Sequence, residues 1–322
     1  MNSEAIIFIH KGYSSCLFAS IAMARESNPK GEIILIGDAS NNVPKILKAL
    51  NCEHVDINRF DITAKKFAVI YRHDGNNPVE YELFCFQRWF ILNDFLATRP
   101  AKSKVLYLDS DAFLFEDISI VFSNMTSNIA LCQLISPAFT YIKELKELDY
   151  FCAFLYESFE NIELYENLNK FVKCYSNSGM PHISDMTAFG EYSSLKGSRA
   201  VGDLRSKENN IVFYCDNFSY PQGMQMGIVG KKIEKDLNGD RFFIYNETGT
   251  RHLAGGIHFQ GVMKPSWILH LNNATRRLIL SQEIITGHFR LKAYLQFGHA
   301  CLQLLFKYKL NPLVEKYLRI SP

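Results

Sequence analysis

Apolar runs and helical periods alternate along the first third of the chain. "AIIFIH" (5–10) is a continuous apolar run rich in Ile, and the turn residues "KGYSS" end it. Such a run predicts a buried strand. "SCLFASIAMARESNP" (15–29) places apolar residues at helical spacing and stops at Asn28-Pro29, which predicts a helix. "EIILIGD" (32–38) repeats the strand pattern. Strand, helix and strand in this order predict a parallel pair, with ligands gathered at the strand C-termini. "VPKILKAL" (43–50) reads as a short helix and "HVDI" (54–57) as a short strand. "VEYELFCFQRWFILNDFLATRP" (79–100) is a long amphipathic helix closed by Pro100, and it leads into a third strong strand, "KVLYLDSDAFLF" (104–115). "IALCQL" (129–134) and "IVFYCD" (211–216) are further strands, and 142–174 is helical. Residues 176–202 form a polar, Gly/Ser-rich loop region. "RFFIYNETG" (241–249) predicts strand then turn, and "GGIHFQGVMKPSW" (255–267) a short strand and a Gly/Pro-rich loop. Helical patterns run from Asn272 to the end. The expected class is α/β, a mixed sheet flanked by helices with a C-terminal helical tail.

Composition adds three points. Of 322 residues, 48% are hydrophobic, enough for a large core. The net charge of +2 gives no reason to expect a nucleic-acid partner. The charge is unevenly placed, however. Residues 276–322 hold eight Lys and Arg against two Asp and Glu, while the rest of the chain carries 27 basic against 31 acidic residues. Cations interleaved with Phe, Tyr and Leu on a helix suit an anionic membrane surface, and packing on the domain is the alternative use. The eight cysteines form no CxxC pair and most lie in apolar contexts, as expected of reduced thiols in the cytoplasm. "AIIFIH" lacks a basic leader, so it reads as a strand and not as a signal peptide. No apolar run approaches the ~18–20 residues of a membrane span.

Asp109-Ser110-Asp111 interrupts the apolar run of 104–115. Residues two apart on an extended chain point the same way. If the strand ends at Leu108, both carboxylates project from its edge and can share one divalent cation. Mg²⁺ or Mn²⁺ held in this way neutralises a diphosphate and leaves coordination positions for its oxygens. A solvated turn is the ordinary reading of such a pair. The apolar residues on both sides argue against it.

These stretches together resemble the nucleotide-sugar glycosyltransferases of the GT-A fold, family 8 and related enzymes. "KVLYLDSDAFLF" is similar to their Asp-x-Asp strand and "CFQRWFIL" to the Arg-bearing helix before it. "IHFQGVMKPSW" is similar to their H-x-x-G-x-x-K-P-W element, with one extra Ser before the Trp. The resemblance spans 5–267 in layout and implies a GT-A-like, Rossmann-type mixed sheet over 1–275, with 276–322 as a basic amphipathic tail. Asp109, Asp111 and His258 would be metal ligands for Mn²⁺ or Mg²⁺. Gly261 would admit the diphosphate, Lys264 would place a charge on it, and Arg88 would reach the donor sugar or its phosphate. Ser110 belongs to the same donor edge. The nucleotide would lie over His10, Lys11, Gly12 and Asp38. Asp38 would accept from a uracil, or else cap a helix or turn. In "GMPHISDMTAF", Asp185 would contact the sugar or stabilise the transition state. Asp185 or Glu191 would instead be the base in an inverting enzyme, and a helix N-cap is the ordinary use of Asp185.

The resulting expectation is a metal-dependent hexosyltransferase. It would move a sugar from a UDP-sugar to a glycan or lipid-linked acceptor in cell-surface polysaccharide synthesis. A haloacid-dehalogenase-like phosphohydrolase also opens with an Asp pair at a strand end. Phe113 stands where that class has Thr or Val, and the pair comes too late in the chain. A non-catalytic nucleotide-sugar-binding module is the third reading.

Overall fold

The structure is a computed structural model. It describes residues 4–100, 103–175, 182–204, 211–214, 223–227, 230–244, 248–259, 264–265 and 268–285. Gly261 and the tail beyond 285 lie outside the described residues. The strands are β1 (Glu4–His10), β2 (Glu32–Gly37), β3 (Glu53–Asp56), β4 (Lys104–Leu108), β5 (Ala112–Leu114), β6 (Ile129–Cys132) and β7 (Ser136–Ile142). They continue with β8 (Val201–Asp203), β9 (Ile211–Tyr214), β10 (Met226–Gly227), β11 (Gly230–Lys231), β12 (Ile233–Lys235), β13 (Arg241–Ile244) and β14 (Arg251–His258). The helices are α1 (Ser15–Ser27), α2 (Pro44–Ala49), α3 (Ile62–Ile70), α4 (Val79–Leu96), α5 (Ile118–Asn124), α6 (Leu145–Glu160), α7 (Ile162–Tyr175), α8 (Asp185–Lys196) and α9 (Asn273–Ile285). The chain divides into two compact units. One comprises Met1–Gly12, Lys30–Asp109 and Asp117–Arg205, the other Tyr13–Pro29, Ser110–Glu116 and Ser206–Pro322.

The first unit is built on a seven-stranded sheet of order β3-β2-β1-β4-β7-β6-β8. The β-branched runs of β1 and β2 pair in parallel, Ala5 opposite Glu32 through His10 opposite Gly37. β4 adds in parallel on the other side of β1, and β7 is antiparallel to β4. The sheet is therefore mixed and helix-flanked, as the pattern predicts. Every residue of β7 is buried, and a fully buried strand shows no alternation that would mark it. One face, including Ile7, Ile9, Ile34, Ile36 and Tyr107, packs into a core with Phe86, Trp89 and Phe90 of α4, Phe151 of α6 and Phe189 of α8. Each such large apolar side chain contributes roughly 1.5–3 kcal/mol by burial.

Residues 176–202 are not one loop, because α8 lies within them. Ser184 caps it: the Ser184 side chain accepts from the Thr187 amide, and the Thr187 side chain accepts from the Ser184 amide. Ala188, Phe189 and Tyr192 are buried, which anchors a helix whose Gly and Ser content hides its apolar face.

The second unit holds the order β12-β13-β14-β5, with β9 pairing β14 in parallel. Here α1 packs against β5 and α9. Nine consecutive residues of α1, Cys16–Ala24, are buried. Its polar side chains hold segment 110–116 by carbonyls: Ser20 Oγ donates to Ser110 O at 2.9 Å, Ser27 Oγ to Leu114 O at 3.3 Å and Asn28 Nδ2 to Glu116 O at 3.2 Å. The run 104–115 is thus not one strand. It breaks between Leu108 and Ala112, and its halves join different sheets, because β4 pairs β1 and β7 while β5 pairs β14. Among the described residues, Cys16, Cys52, Cys85, Cys132, Cys152 and Cys174 form no disulfide. Among the described residues, no helix is long and apolar enough to cross a membrane.

Candidate active site

The end of β4 carries Asp109 out of the first sheet. Its amide still donates to Ala138 O at 3.0 Å, which fixes the backbone at the point where the strand stops. Asp109 Oδ1 accepts from Arg88 Nη1 at 2.5 Å and from Tyr107 Oη at 2.7 Å. Arg88 Nη1 is also 2.9 Å from the Tyr107 hydroxyl, and Nη2 donates to Asp185 Oδ2 at 2.6 Å. That oxygen accepts from Trp89 Nε1 as well, at 3.1 Å. One guanidinium on α4 therefore bridges two carboxylates, one at the end of β4 and one in the first turn of α8. The side chains of Arg88, Asp109 and Asp185 are 11%, 17% and 6% exposed.

Burial raises the Asp185 carboxyl above its ordinary value, and the Arg88 charge and the hydrogen bonds from Arg88 and Trp89 offset this only in part. Burial would likewise lower the Arg88 guanidinium, but Asp109, Tyr107 and Asp185 outweigh it, so the group is firmly cationic. Asp185 is not the cap of α8, since Ser184 is. Six residues before Arg88 and three before Asp185, Glu82 and His182 form a second contact, Nε2 to Oε1 at 3.5 Å, and Glu82 is itself buried. Glu191 lies further along α8, half-buried and outside this network, with its carboxyl raised by burial.

At the ends of β1 and β2, the expected nucleotide edge is tightly stitched. Asp38 Oδ2 accepts from the Gly12 amide at 2.9 Å, and Oδ1 accepts from the Ser40 amide at 3.0 Å and from the Ser40 hydroxyl. Burial would raise Asp38, yet the Ser40 and Gly12 bonds together hold it below its ordinary value. Asp38 thus caps the short turn after β2, one of the two uses open from the sequence. Gly12 has φ +83°, which a residue with a Cβ adopts only with strain. Asn41 Nδ2 donates to His10 O at 2.7 Å, and the Lys11 ammonium lies 4.7 Å from the Phe84 ring centre.

In the second unit, Asp111 immediately precedes β5 and His258 closes β14. The antiparallel register sets Ala112 opposite His258, and the Phe259 amide donates to Asp111 O at 2.9 Å. His258 Nε2 is 3.0 Å from Asp111 Oδ1, and Lys264 Nζ is 2.8 Å from Asp111 Oδ2. Burial would raise the Asp111 carboxyl. The His258 and Lys264 charges and hydrogen bonds outweigh that and hold it well below the usual carboxylate range. Beneath them, the Phe113 and Phe259 rings meet edge to face at 4.8 Å. His270 lies beside both rings, its imidazole lowered to about 4 by burial and then by Arg241.

Sequence reasoning named Arg88, Asp109, Asp111, Asp185, His258 and Lys264. It missed Trp89 and Tyr107, which look like core aromatics and whose polar atoms serve the carboxylates. A buried Trp or Tyr must place its N–H or O–H, and that was the available signal.

No protein-family model matches the chain, and no characterised protein matches it in sequence. Several solved structures resemble it at low identity. The galactosyltransferase LgtC in complex with donor and acceptor sugar analogues has a TM-score of 0.42 at 13% identity, over 80% of this chain and 87% of its own. Mouse xyloside xylosyltransferase 1 in its apo form has 0.44 at 9%, over 63% and 85%. The glycosyltransferase GlyE of Streptococcus pneumoniae TIGR4 has 0.37 at 14%, over 65% and 47%.

Proposed function

We propose that this chain is a glycosyltransferase that takes a sugar from a UDP-sugar and depends on a divalent cation, Mn²⁺ or Mg²⁺, held by Asp109, Asp111 and His258. The observation that carries the reading is the donor set itself, two carboxylates one residue apart on the chain with one imidazole. Carboxylate oxygens suit either cation, and an imidazole suits Mn²⁺ better than Mg²⁺. Asp111 is held as a carboxylate by its contacts with His258 and Lys264. When bound, the cation supplies positive charge against the diphosphate that must leave.

The chain's own groups divide the remaining work. Lys264, 49% exposed, has the length and charge to follow the leaving diphosphate. Arg88 holds one oxygen of Asp109 and so orients the other. Asp185, gripped by Arg88 and Trp89 and nearly inaccessible, serves better as the group that fixes Arg88 than as a base that must meet an acceptor hydroxyl. Glu191, half-buried with a raised carboxyl, is the better candidate for a base. Asp38 shapes the nucleotide edge by tying Gly12 to the turn after β2. The acceptor class we favour is a glycan or lipid-linked saccharide of the cell surface. The basic, aromatic composition of 276–322 supports it.

The test is thermal denaturation with UDP, GDP and CMP, each with and without Mn²⁺, followed by assay of UDP release from UDP-sugars. Ligand at 100 times Kd stabilises by about 2.7 kcal/mol. That shift is several degrees for a protein of this size. UDP with Mn²⁺ is expected to give it in the wild type and not in Asp111→Asn. Equal shifts in both proteins, or no shift with any nucleotide and no UDP release, would overturn the reading.

A further inference from the structure

Lys264 Nζ sits 2.8 Å from Asp111 Oδ2, the carboxylate that His258 holds by its other oxygen. An ammonium at that distance occupies the face of the oxygen that an incoming cation would need. Asp111 is 10% exposed while the Lys264 side chain is 49% exposed, so the fixed partner is the carboxylate and the partner able to swing away is the lysine. Its backbone does not move with it: the Lys264 carbonyl accepts from Cys16 Sγ on buried α1 at 3.7 Å. The side chain therefore turns about an anchored point, with a four-carbon stem and three rotatable donors.

We propose that Lys264 is a built-in competitor for the cation at Asp111, and that cation binding is what releases its ammonium for the diphosphate. This rests on the metal-site reading above and adds an order of events to it. Before loading, Lys264 neutralises Asp111. A divalent cation, with twice the charge, takes over the carboxylate, and the displaced ammonium is then available to the anionic donor. The lysine thereby couples the two bindings: it opposes the cation alone and favours cation and diphosphate together.

Two readouts test this, neither of them catalysis. The first is Mn²⁺ affinity of the full chain, read from the paramagnetic resonance signal of free Mn²⁺, in wild type and in Lys264→Met, which keeps the stem and removes the charge. Lys264→Met is expected to bind Mn²⁺ alone about three- to tenfold more tightly, the worth of a partly exposed ion pair. The second is the rate at which Lys264 is acylated, followed by peptide mass spectrometry. The neutral amine is the form that is acylated, and the contact with Asp111 both shields the nitrogen and keeps its proton on, so Mn²⁺ is expected to raise the rate with the midpoint of its own binding, and Asp111→Asn to show the raised rate without Mn²⁺. Equal or weaker Mn²⁺ binding by Lys264→Met, or acylation that ignores Mn²⁺, overturns the competition and leaves the metal site standing. If neither protein takes up Mn²⁺ at millimolar concentration, the competition is refuted. Repeating the titration with UDP present then decides the metal site separately: no uptake there refutes it as well.

Discussion

Arg88→Met removes the one guanidinium that bridges Asp109 and Asp185 while keeping the volume and the apolar stem. At an effective dielectric of about 20, opposite charges about 4 Å apart attract by roughly 4 kcal/mol. Arg88 makes two such contacts, at 2.5 and 2.6 Å between donor and acceptor atoms. Desolvation of the guanidinium takes back part of this. What remains when one partner of a buried pair is removed is about 3–5 kcal/mol, chiefly the penalty of the charge left behind. The loss depends on pH, and Asp185 sets the sign. Its folded carboxyl is raised by burial, so the fold holds the Asp185 proton more tightly than the unfolded chain does. Stability from such a group is fully present below the unfolded value of about 4 and is lost as pH rises through the folded value. Without Arg88 the main influence lowering that value is gone, and the window extends upward. Arg88→Met is therefore expected to lose most at pH 8 and least near pH 5. Urea unfolding at both pH values measures it, and Arg88→Met/Asp185→Asn is expected to recover part of the loss at pH 8, since Asn still accepts from Trp89. A deficit below about 1 kcal/mol that is equal at both pH values would mean the two carboxylates are solvated and the electrostatic account is wrong.

Three further outcomes follow from other parts of the molecule. Lys264→Ala is expected to lower turnover ~10²-fold or more, because one preorganised charge on a leaving group is worth a few kcal/mol; a wild-type rate with a matched acceptor would contradict that role. Gly12→Ala is expected to cost about 1–2 kcal/mol in thermal or urea unfolding, from its φ of +83° alone, since nothing lies within 4 Å of the added Cβ; an unchanged midpoint would mean the turn relaxes to another conformation. For the tail, full-length protein is expected to pellet with anionic vesicles at low salt and less so at high salt. Lys307→Glu/Lys309→Glu should weaken this, each cation near the surface being worth about 1 kcal/mol. Equal pelleting of both proteins would assign the tail to packing.

The local pattern determined a good deal of this protein. The apolar runs of β1 and β2 with α1 between them, and the long α4 leading into β4, are legible because periodicity reports which face of a single element is buried. The Asp109-Ser110-Asp111 interruption was legible for the same reason, since carboxylates in an apolar run need partners. The tertiary structure decided which partners. Nothing in the run 104–115 says that it will part at Asp109 and give its halves to two sheets. That depends on hydrogen-bonding edges offered by β7 and by β14, far along the chain. Nor does sequence pair Arg88 with Asp185, 97 residues away, or turn Asp38 inward to Gly12. The region 176–202 read as loop, with a helix start at Asp185 only as the alternative, because the Gly and Ser of α8 mask the apolar face that α6 and α7 complete. A side chain's spacing along its own element is fixed by backbone geometry, but the charge it neutralises is fixed only when distant elements bring that charge within 3 Å.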